Sequence, residues 1–406
     1  MALASAGADR LSPLATLGVV LGANLPDLDV LGFPFGGRPY YLCHHRGLTH
    51  ALPGLALESL LLAGAIFGIA RLMRRGGEPL RFRGLWLAAA IGLLSHLLLD
   101  SLNTYGVRPF LPFSDARFYG DLAFIVDPWL WLGFGFAACL GAPGPRPLAP
   151  SAAPRGADVL EDVLSKASAG DLAGAEEAAG VALGEEEAPA AELRGRVCEG
   201  LARVGWGAAF FLALGVLFST DRAPRAVAWL WGTAFLAILI VRHFGFVPNR
   251  ARQRFAWAGL VAVAVYLVVL GAFQRAGDAS ARAAVAQKTE APILLSTTHP
   301  APAIPWRFSA LVATQEEVYS VSVDLFEPRI WVDPDPLPRR LDHPGLRRVE
   351  GTREHVAWKS FARIPFVSEL RPRPGEDLRL LLGDARYLPR PVEGWCNLAV
   401  TPLPGR

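Results

Sequence analysis

Acids and imidazoles gather in four places along the first third of the chain. They are Asn24-Leu25-Pro26-Asp27-Leu28-Asp29, His44-His45-Arg46-Gly47-Leu48-Thr49-His50, Ser95-His96-Leu97-Leu98-Leu99-Asp100 and Asp127-Pro128. Imidazole nitrogen and carboxylate oxygen are the usual ligands of catalytic zinc, which keeps one position open for water. His96 and Asp100 stand four apart, so on a helix they share a face with Cβ atoms roughly 5–6 Å apart and can reach one ion or a neighbouring pair. Two ions about 3.5–4 Å apart can clamp the attacking and leaving oxygens of a phosphoester. Each place also has a plainer reading. Asp27 and Asp29 could close a turn after Pro26. The histidines could be interfacial residues with Arg46 meeting lipid phosphate, and Cys43 an apolar filler. Asp127 before Pro128 could be a helix N-cap with proline at the first helical position.

What sets the four places apart is the set of elements that carry them. The 406-residue chain is 52% hydrophobic and 19% charged, with a mean hydropathy of +0.31. A soluble domain carries about 25% charged residues. The composition therefore excludes a disordered chain, a small disulfide scaffold and an ordinary cytosolic enzyme, and it places the apolar excess in lipid. A net charge of +3 without a long Lys/Arg run predicts no nucleic-acid partner. Cys43, Cys139, Cys198 and Cys396 lack CxxC spacing, so no thiolate zinc site or disulfide framework is expected. The N-terminus has no basic segment followed by a small-residue cleavage site, so no signal peptide is read.

Seven stretches approach the ~20 residues that span a bilayer as helix: 11–25, 52–73, 85–102, 124–140, 206–220, 226–243 and 255–273. The fold expected is mainly α, a polytopic bundle of about seven spans followed by a β-rich soluble domain. Its parts are a metal-site membrane domain over 1–140, a cytoplasmic linker or helical insert over 141–204, further spans over 205–275 and an extracytoplasmic domain over 276–406. Arginines crowd two loops, Arg71, Arg74, Arg75, Arg81 and Arg83 in one and Arg242, Arg250, Arg252 and Arg254 in the other. Positive charge marks the cytoplasmic side, and four spans between the loops return the chain to that side. All four acid and imidazole clusters then fall at the outer ends of their helices, on one membrane face. The insert, Pro/Gly/Ala-rich and then Ala/Glu-rich, reads as a spacer. In the tail, 318–325, 330–332, 357–361 and 378–382 are strand candidates.

At these residues the sequence resembles the YdjM-like family of membrane-bound metal-dependent hydrolases. The matching stretches run from Gly22 to Asp29, from His44 to His50, and from His96 to Asp100 into Asn103-Thr104-Tyr105-Gly106. Leu111-Pro112-Phe113-Ser114, Arg117-Phe118-Tyr119, Asp121 and Asp127-Pro128 continue them. Pro305-Trp306-Arg307 and Asp384-Ala385-Arg386-Tyr387 are similar to the outer domain of longer members. The resemblance implies Asp27 or Asp29, His45, His50, His96 and Asp100 as metal ligands, and Asp127 as a ligand or a partner orienting a histidine. It also implies Arg46 and Arg117 as holders of an anionic substrate group, with Asp115 and Asp121 as weaker candidates. Members usually carry a further early helix with an Asp and a Thr-His pair; on this resemblance Met1–Arg10 starts after that point, so either the true start lies upstream or this protein binds fewer metals.

The expectation is a multi-pass protein of the plasma (inner) membrane. It holds divalent metal, zinc by preference, and hydrolyses a phosphoester in a lipid or lipid-linked substrate through metal-activated water. Asp29 or Asp127 would take up the proton. Two rivals stand beside it. One is a non-catalytic membrane protein with a structural metal and a partner-binding outer domain. The other is a transporter, which would place its site at mid-depth on broken helices; Glu58 is the nearest mid-span acid.

Overall fold

The computed structural model describes residues 1–73, 79–124, 127–141, 225–244, 246–301, 303–327, 330–370, 378–387 and 396–402, with isolated positions between 161 and 215. The expected span at 206–220 and nearly all of the 141–204 insert lie outside the described residues.

The helices are α1 (Ala2–Ser5), α2 (Ala15–Gly22), α3 (Phe33–His44), α4 (Leu52–Met73), α5 (Phe82–Ser101), α6 (Pro128–Gly141), α7 (Arg225–His243) and α8 (Arg252–Ala286). Among the described residues, α4, α5, α7 and α8 are long and apolar enough to cross a membrane. A fifth crossing is counted if α2 and the segment Pro26–His44, bent by 48°, form one broken span. Among the described residues two expected spans come out shorter: the stretch at 124–140 gives the 14-residue α6, and 11–25 the 8-residue α2. Pro26 and the turn Pro26–Gly32 stop α2 where the sequence runs into its first acids.

α2 packs closely on α5 because both carry glycine at the contact. A Cβ on Gly18 would meet Ala88 and Ala89, one on Gly22 would meet the Ala89 carbonyl, and one on Gly92 the Val19 carbonyl. Small residues of this kind let helix backbones approach in a membrane bundle. The N-terminal segment then stitches one end of the bundle together. Arg81 donates from its backbone N–H to Ser12 Oγ (3.1 Å) and from its guanidinium to the Arg10 carbonyl (3.0 Å), while Gln253 donates to the Ala6 carbonyl (2.9 Å). A Cβ on Gly141 would touch Ser5 and Ala256. The starts of α5 and α8 and the end of α6 therefore share one end, and the described residues Arg81, Arg250, Arg252 and Arg254 of the two arginine-rich stretches lie there.

The sheet-rich C-terminal region sits at the other end. Strands β1 (Leu295–Ala301), β2 (Ile304–Ala313), β3 (Glu317–Asp324), β4 (Trp331–Val332) and β5 (Leu337–Pro338) form one antiparallel sheet in the order β1-β2-β3-β4, with β5 also on β3. β6 (Pro365–Leu370), β7 (Arg379–Asp384) and β8 (Leu398–Val400) form a second. α9 (Leu346–Val349) and α10 (Arg353–Phe361) precede β6. The expected strand over 357–361 is helix α10 instead. Thr352 caps it by accepting the N–H of His355 (3.2 Å), and the buried Ala357, Trp358 and Phe361 follow a helical period. α8 crosses residue 275 without a break, and Ala281 and Val285 pack against Phe308, Ala310 and Val321 of the first sheet.

Candidate metal centre

Three backbone segments and one helix bring the acids and imidazoles together. Asp27 and Asp29 project from the turn Pro26–Gly32, His45 follows α3, His50 ends the short turn Leu48–His50 before α4, and His96 and Asp100 lie on the last two turns of α5. His50 is fully buried and Asp27 is the exposed member, its side chain 58% accessible. Between His45 and His50 the chain turns through Arg46, which adopts a left-handed conformation (φ 57). That conformation is uncommon for a residue with a Cβ. It is held here by the Arg46 N–H on Asp29 Oδ2 (3.1 Å) and by the guanidinium on Asp100 Oδ1 (2.8 Å) and Asn103 Oδ1 (2.8 Å).

The tautomers follow from the partners. His96 Nδ1 lies 2.9 Å from the Ala23 carbonyl, which only accepts, so the proton sits on Nδ1 and Nε2 carries a lone pair. The glycine-lined approach of α2 to α5 places that carbonyl. Thr49 donates to Asp29 Oδ2 (3.3 Å), leaving its oxygen to accept from His50 Nδ1 (3.0 Å), so His50 Nε2 is likewise a lone pair. The two Nε2 atoms face each other at 3.1 Å. Asp27 Oδ1 lies 3.5 and 3.6 Å from His50 and His96, and Asp100 Oδ2 lies 3.4 and 3.5 Å from the same pair. Asp100 Oδ2 is buried with no hydrogen-bond partner among the described residues.

These separations can be set against a metal polyhedron. Bonds of about 2.0–2.1 Å in a tetrahedron put ligand atoms roughly 3.3 Å apart. Five edges of the Asp27–His50–His96–Asp100 set measure 3.1–3.6 Å, and all four ligand atoms lie within 4.8 Å of one another. Asp27, Asp29 and His45 make a second such group that shares Asp27. In it Asp29 is already engaged, accepting from His45 Nδ1 (2.8 Å), Arg46 N–H and Thr49. His45 is stacked on Tyr41 and stands edge-on to Tyr105.

The remaining expected residues lie elsewhere. Asp127 heads α6, where its Oδ1 accepts the N–H groups of Trp129 (2.9 Å) and Leu130 (3.0 Å) and its Oδ2 accepts from Tyr266 (2.9 Å); it belongs to neither donor group. Arg46 points inward to Asp100 rather than outward to a ligand. Arg117 faces the C-terminal region, donating to the Ser360 carbonyl (3.4 Å). Asp121 pairs with Arg363 (2.7 Å), and burial still lifts its carboxyl above the usual range. Asp115 meets Arg108 (3.2 Å). The supports that a reading of ligand types misses are the Ala23 carbonyl, Thr49 and Asn103. Thr49 and Asn103 stood inside the quoted motifs as the polar residues between ligands.

Comparison with known proteins places the same stretch in a family context. Residues 1–157 match the family model described as YdjM inner membrane protein. A stretch of 104 residues, 25% of this chain and 55% of the relative, is 40% identical to "Inner membrane protein YbcI" of Escherichia coli (strain K12). Another of 132 residues, 32% of this chain and 38% of the relative, is 24% identical to "Uncharacterized protein YfhP" of Bacillus subtilis (strain 168). The chain thus spans about half or less of the length of these curated relatives. No solved structure matches. The portion that builds the acid and imidazole cluster thus lies within residues 1–157, which are similar to the YdjM inner membrane protein family.

Proposed function

We propose that the Asp27–His50–His96–Asp100 cluster binds a divalent cation, zinc by its donor set, and that the protein hydrolyses a phosphoester in a lipid or lipid-linked substrate. One observation carries the reading: two imidazole Nε2 atoms and two carboxylates converge on a common centre, with Asp100 Oδ2 buried and unpartnered among the described residues. With neutral imidazoles the two carboxylates carry −2, of which Arg46 offsets one through Asp100 Oδ1, and a bound cation would balance the remainder. A bound divalent ion would polarise a phosphoryl oxygen and acidify a coordinated water.

The chain's own residues supply the rest. Asp27, the exposed ligand, faces the side from which water and substrate arrive, while His50 and Asp100 hold from within. Arg46 and Asn103 fix Asp100, and Asp29 fixes His45 and Thr49. With Asp127 engaged at the head of α6, His45 is the group placed to hold a proton beside the cluster, its Nδ1 oriented by Asp29. An apolar cavity of about 600 Å³ between α2, α5, α6, α7 and α8 includes Ala23 and Ser95 in its wall. It adjoins the residue whose carbonyl orients His96, which supports a substrate with a hydrocarbon tail. The positive-inside bias puts the arginine-rich end in the cytoplasm and the cluster with the sheet region on the outer face of the plasma membrane.

A second reading has its own support: four protein ligands complete a tetrahedron, as in structural zinc sites. Elemental analysis of the purified chain, with hydrolysis of bis(p-nitrophenyl) phosphate and of phospholipid vesicles, separates the two. The enzyme reading expects about one metal per chain or more, with His96→Ala and Asp100→Ala losing metal and hydrolysis together. Metal without hydrolysis leaves the structural reading, and unchanged metal in both variants overturns the site.

A further inference from the structure

We infer that Arg108 is the anion-recognising residue of a pocket beside the cluster, and that the pocket takes a phosphate group. This deepens the hydrolase reading and rests on it for the identity of the reaction, though not for the binding itself. A cavity of about 510 Å³ lies between the turn that carries Asp29, the last turn of α3 and the segment Gly47–Thr49, with Arg108 in its lining. Arg108 is only 7% exposed. Its Nη2 donates to the Cys43 carbonyl (2.6 Å) and its Nη1 reaches Asp115 (3.2 Å), a carboxylate that is itself 75% exposed. Nε is buried and has no hydrogen-bond partner among the described residues.

A buried guanidinium with one solvent-screened counter-ion and an orphaned N–H is expensive unless something else completes it. Burial and, after it, the nearby Arg108 cation disfavour the charged form of Arg117, so the two guanidinium groups share one positive field. A planar fork with unmet donors matches the oxygens of a phosphate. Asp29 and Thr49, the pair that contacts His45 and His50, also line this cavity, so a phosphate bound there lies beside the cluster. The carboxylate of Asp29 does not repel it strongly, because the His45 ring, the Arg46 N–H and the Thr49 hydroxyl already donate to it. Arg46, the sequence's first choice for this role, is taken up by Asp100 and Asn103.

The test uses the full chain in detergent and in nanodiscs, with metal content measured alongside. Inorganic phosphate is titrated by calorimetry, and vesicles of phosphatidic acid are compared with vesicles of phosphatidylcholine. Arg108→Ala is expected to weaken binding about tenfold or more, the worth of a charge-assisted hydrogen bond, and Arg108→Lys to fall between. Metal content should not change in either. Asp115→Asn, which releases the competing carboxylate, should tighten binding by about twofold to fivefold. If free phosphate tracks Arg108, the pocket serves a soluble phosphate group; if only phosphatidic acid vesicles do, it serves a lipid headgroup. Equal binding by wild type and Arg108→Ala overturns the proposal. Should that variant fail to fold, unchanged binding in Asp115→Asn overturns it equally. A wild type that binds phosphate through Arg108 yet carries no metal would sink the hydrolase reading and leave the pocket standing.

Discussion

Two buried polar clusters lie at the same end of this molecule, and they are built on opposite principles. At the junction with the sheet region, charges are matched. Asp384 accepts from the Arg363 N–H and from Nε and Nη2 of Arg386, Arg386 also donates to the Thr104 and Phe361 carbonyls, and Arg363 pairs with Asp121. The Arg386 and Asp384 side chains are each 1% exposed, and each is satisfied within the chain. At the acid and imidazole cluster acceptors outnumber donors, and Asp100 Oδ2 is left over. A polar cluster that closes on itself holds domains together; one that leaves lone pairs converging is shaped for something the chain does not supply.

That contrast can be broken at either side. The largest effect is expected at the junction. Asp384→Asn leaves Arg386 buried without its anion and should lower unfolding free energy by about 3–5 kcal/mol, read by chemical denaturation of the detergent-solubilised protein. An effect below about 1 kcal/mol would erase the distinction between the clusters. Next comes chelation. EDTA should remove about 3–4 kcal/mol from wild type if a saturating ion is bound, visible as a fall in Tm, and should leave His96→Ala unmoved. Equal response in both would mean that no ion sits on His96.

His299 gives a pH test of the same size or a little less. It is buried on β1, its Nδ1 has no hydrogen-bond partner among the described residues, and burial with the nearby cations Arg386 and Arg363 pushes its pKa down to about 4. Between about pH 6.5 and pH 4 the unfolded chain therefore binds the proton and the folded chain resists it. Stability falls as pH drops through that window, by at most about 3 kcal/mol. His299→Gln should flatten the slope of stability against pH there, measured by denaturation at stepped pH; an unchanged slope would show that the junction tolerates the charge. The smallest effect is at Asp127. Asp127→Ala should cost about 1 kcal/mol through the lost cap of α6 and leave metal content as in wild type. Loss of metal would return Asp127 to the site.

Much of the site was legible because ligand chemistry leaves residue-type and spacing signals that survive without coordinates. His96 and Asp100 are read from helical periodicity alone, and the ends of α4 and α5 follow from their apolar lengths. What was not legible depends on direction rather than type. Arg46 and Arg108 look alike in sequence, yet one turns in to Asp100 and the other lines the cavity. Asp127 carries the signature of an N-cap as well as that of a ligand, and the coordinates place it as the cap. Residues 357–361 read as a strand because a five-residue window hides the helical period that Thr352 starts. β1 and β2 escaped notice because Thr297, Thr298, His299 and Pro300 disguise the alternation.

α8 carries one more implication. Its 35 residues make a rod of about 52 Å, of which roughly 30 Å suffices for the hydrocarbon layer. The surplus continues unbroken beneath the first sheet, where Gly277 lets Phe308 sit against the backbone. The sheet is therefore mounted on a stalk rather than tethered by a leash. Its attitude toward the bilayer follows from the tilt of that helix together with the contacts that tie the sheet region to the bundle, among them Trp129 Nε1 donating to the Ala303 carbonyl and Arg363 pairing with Asp121.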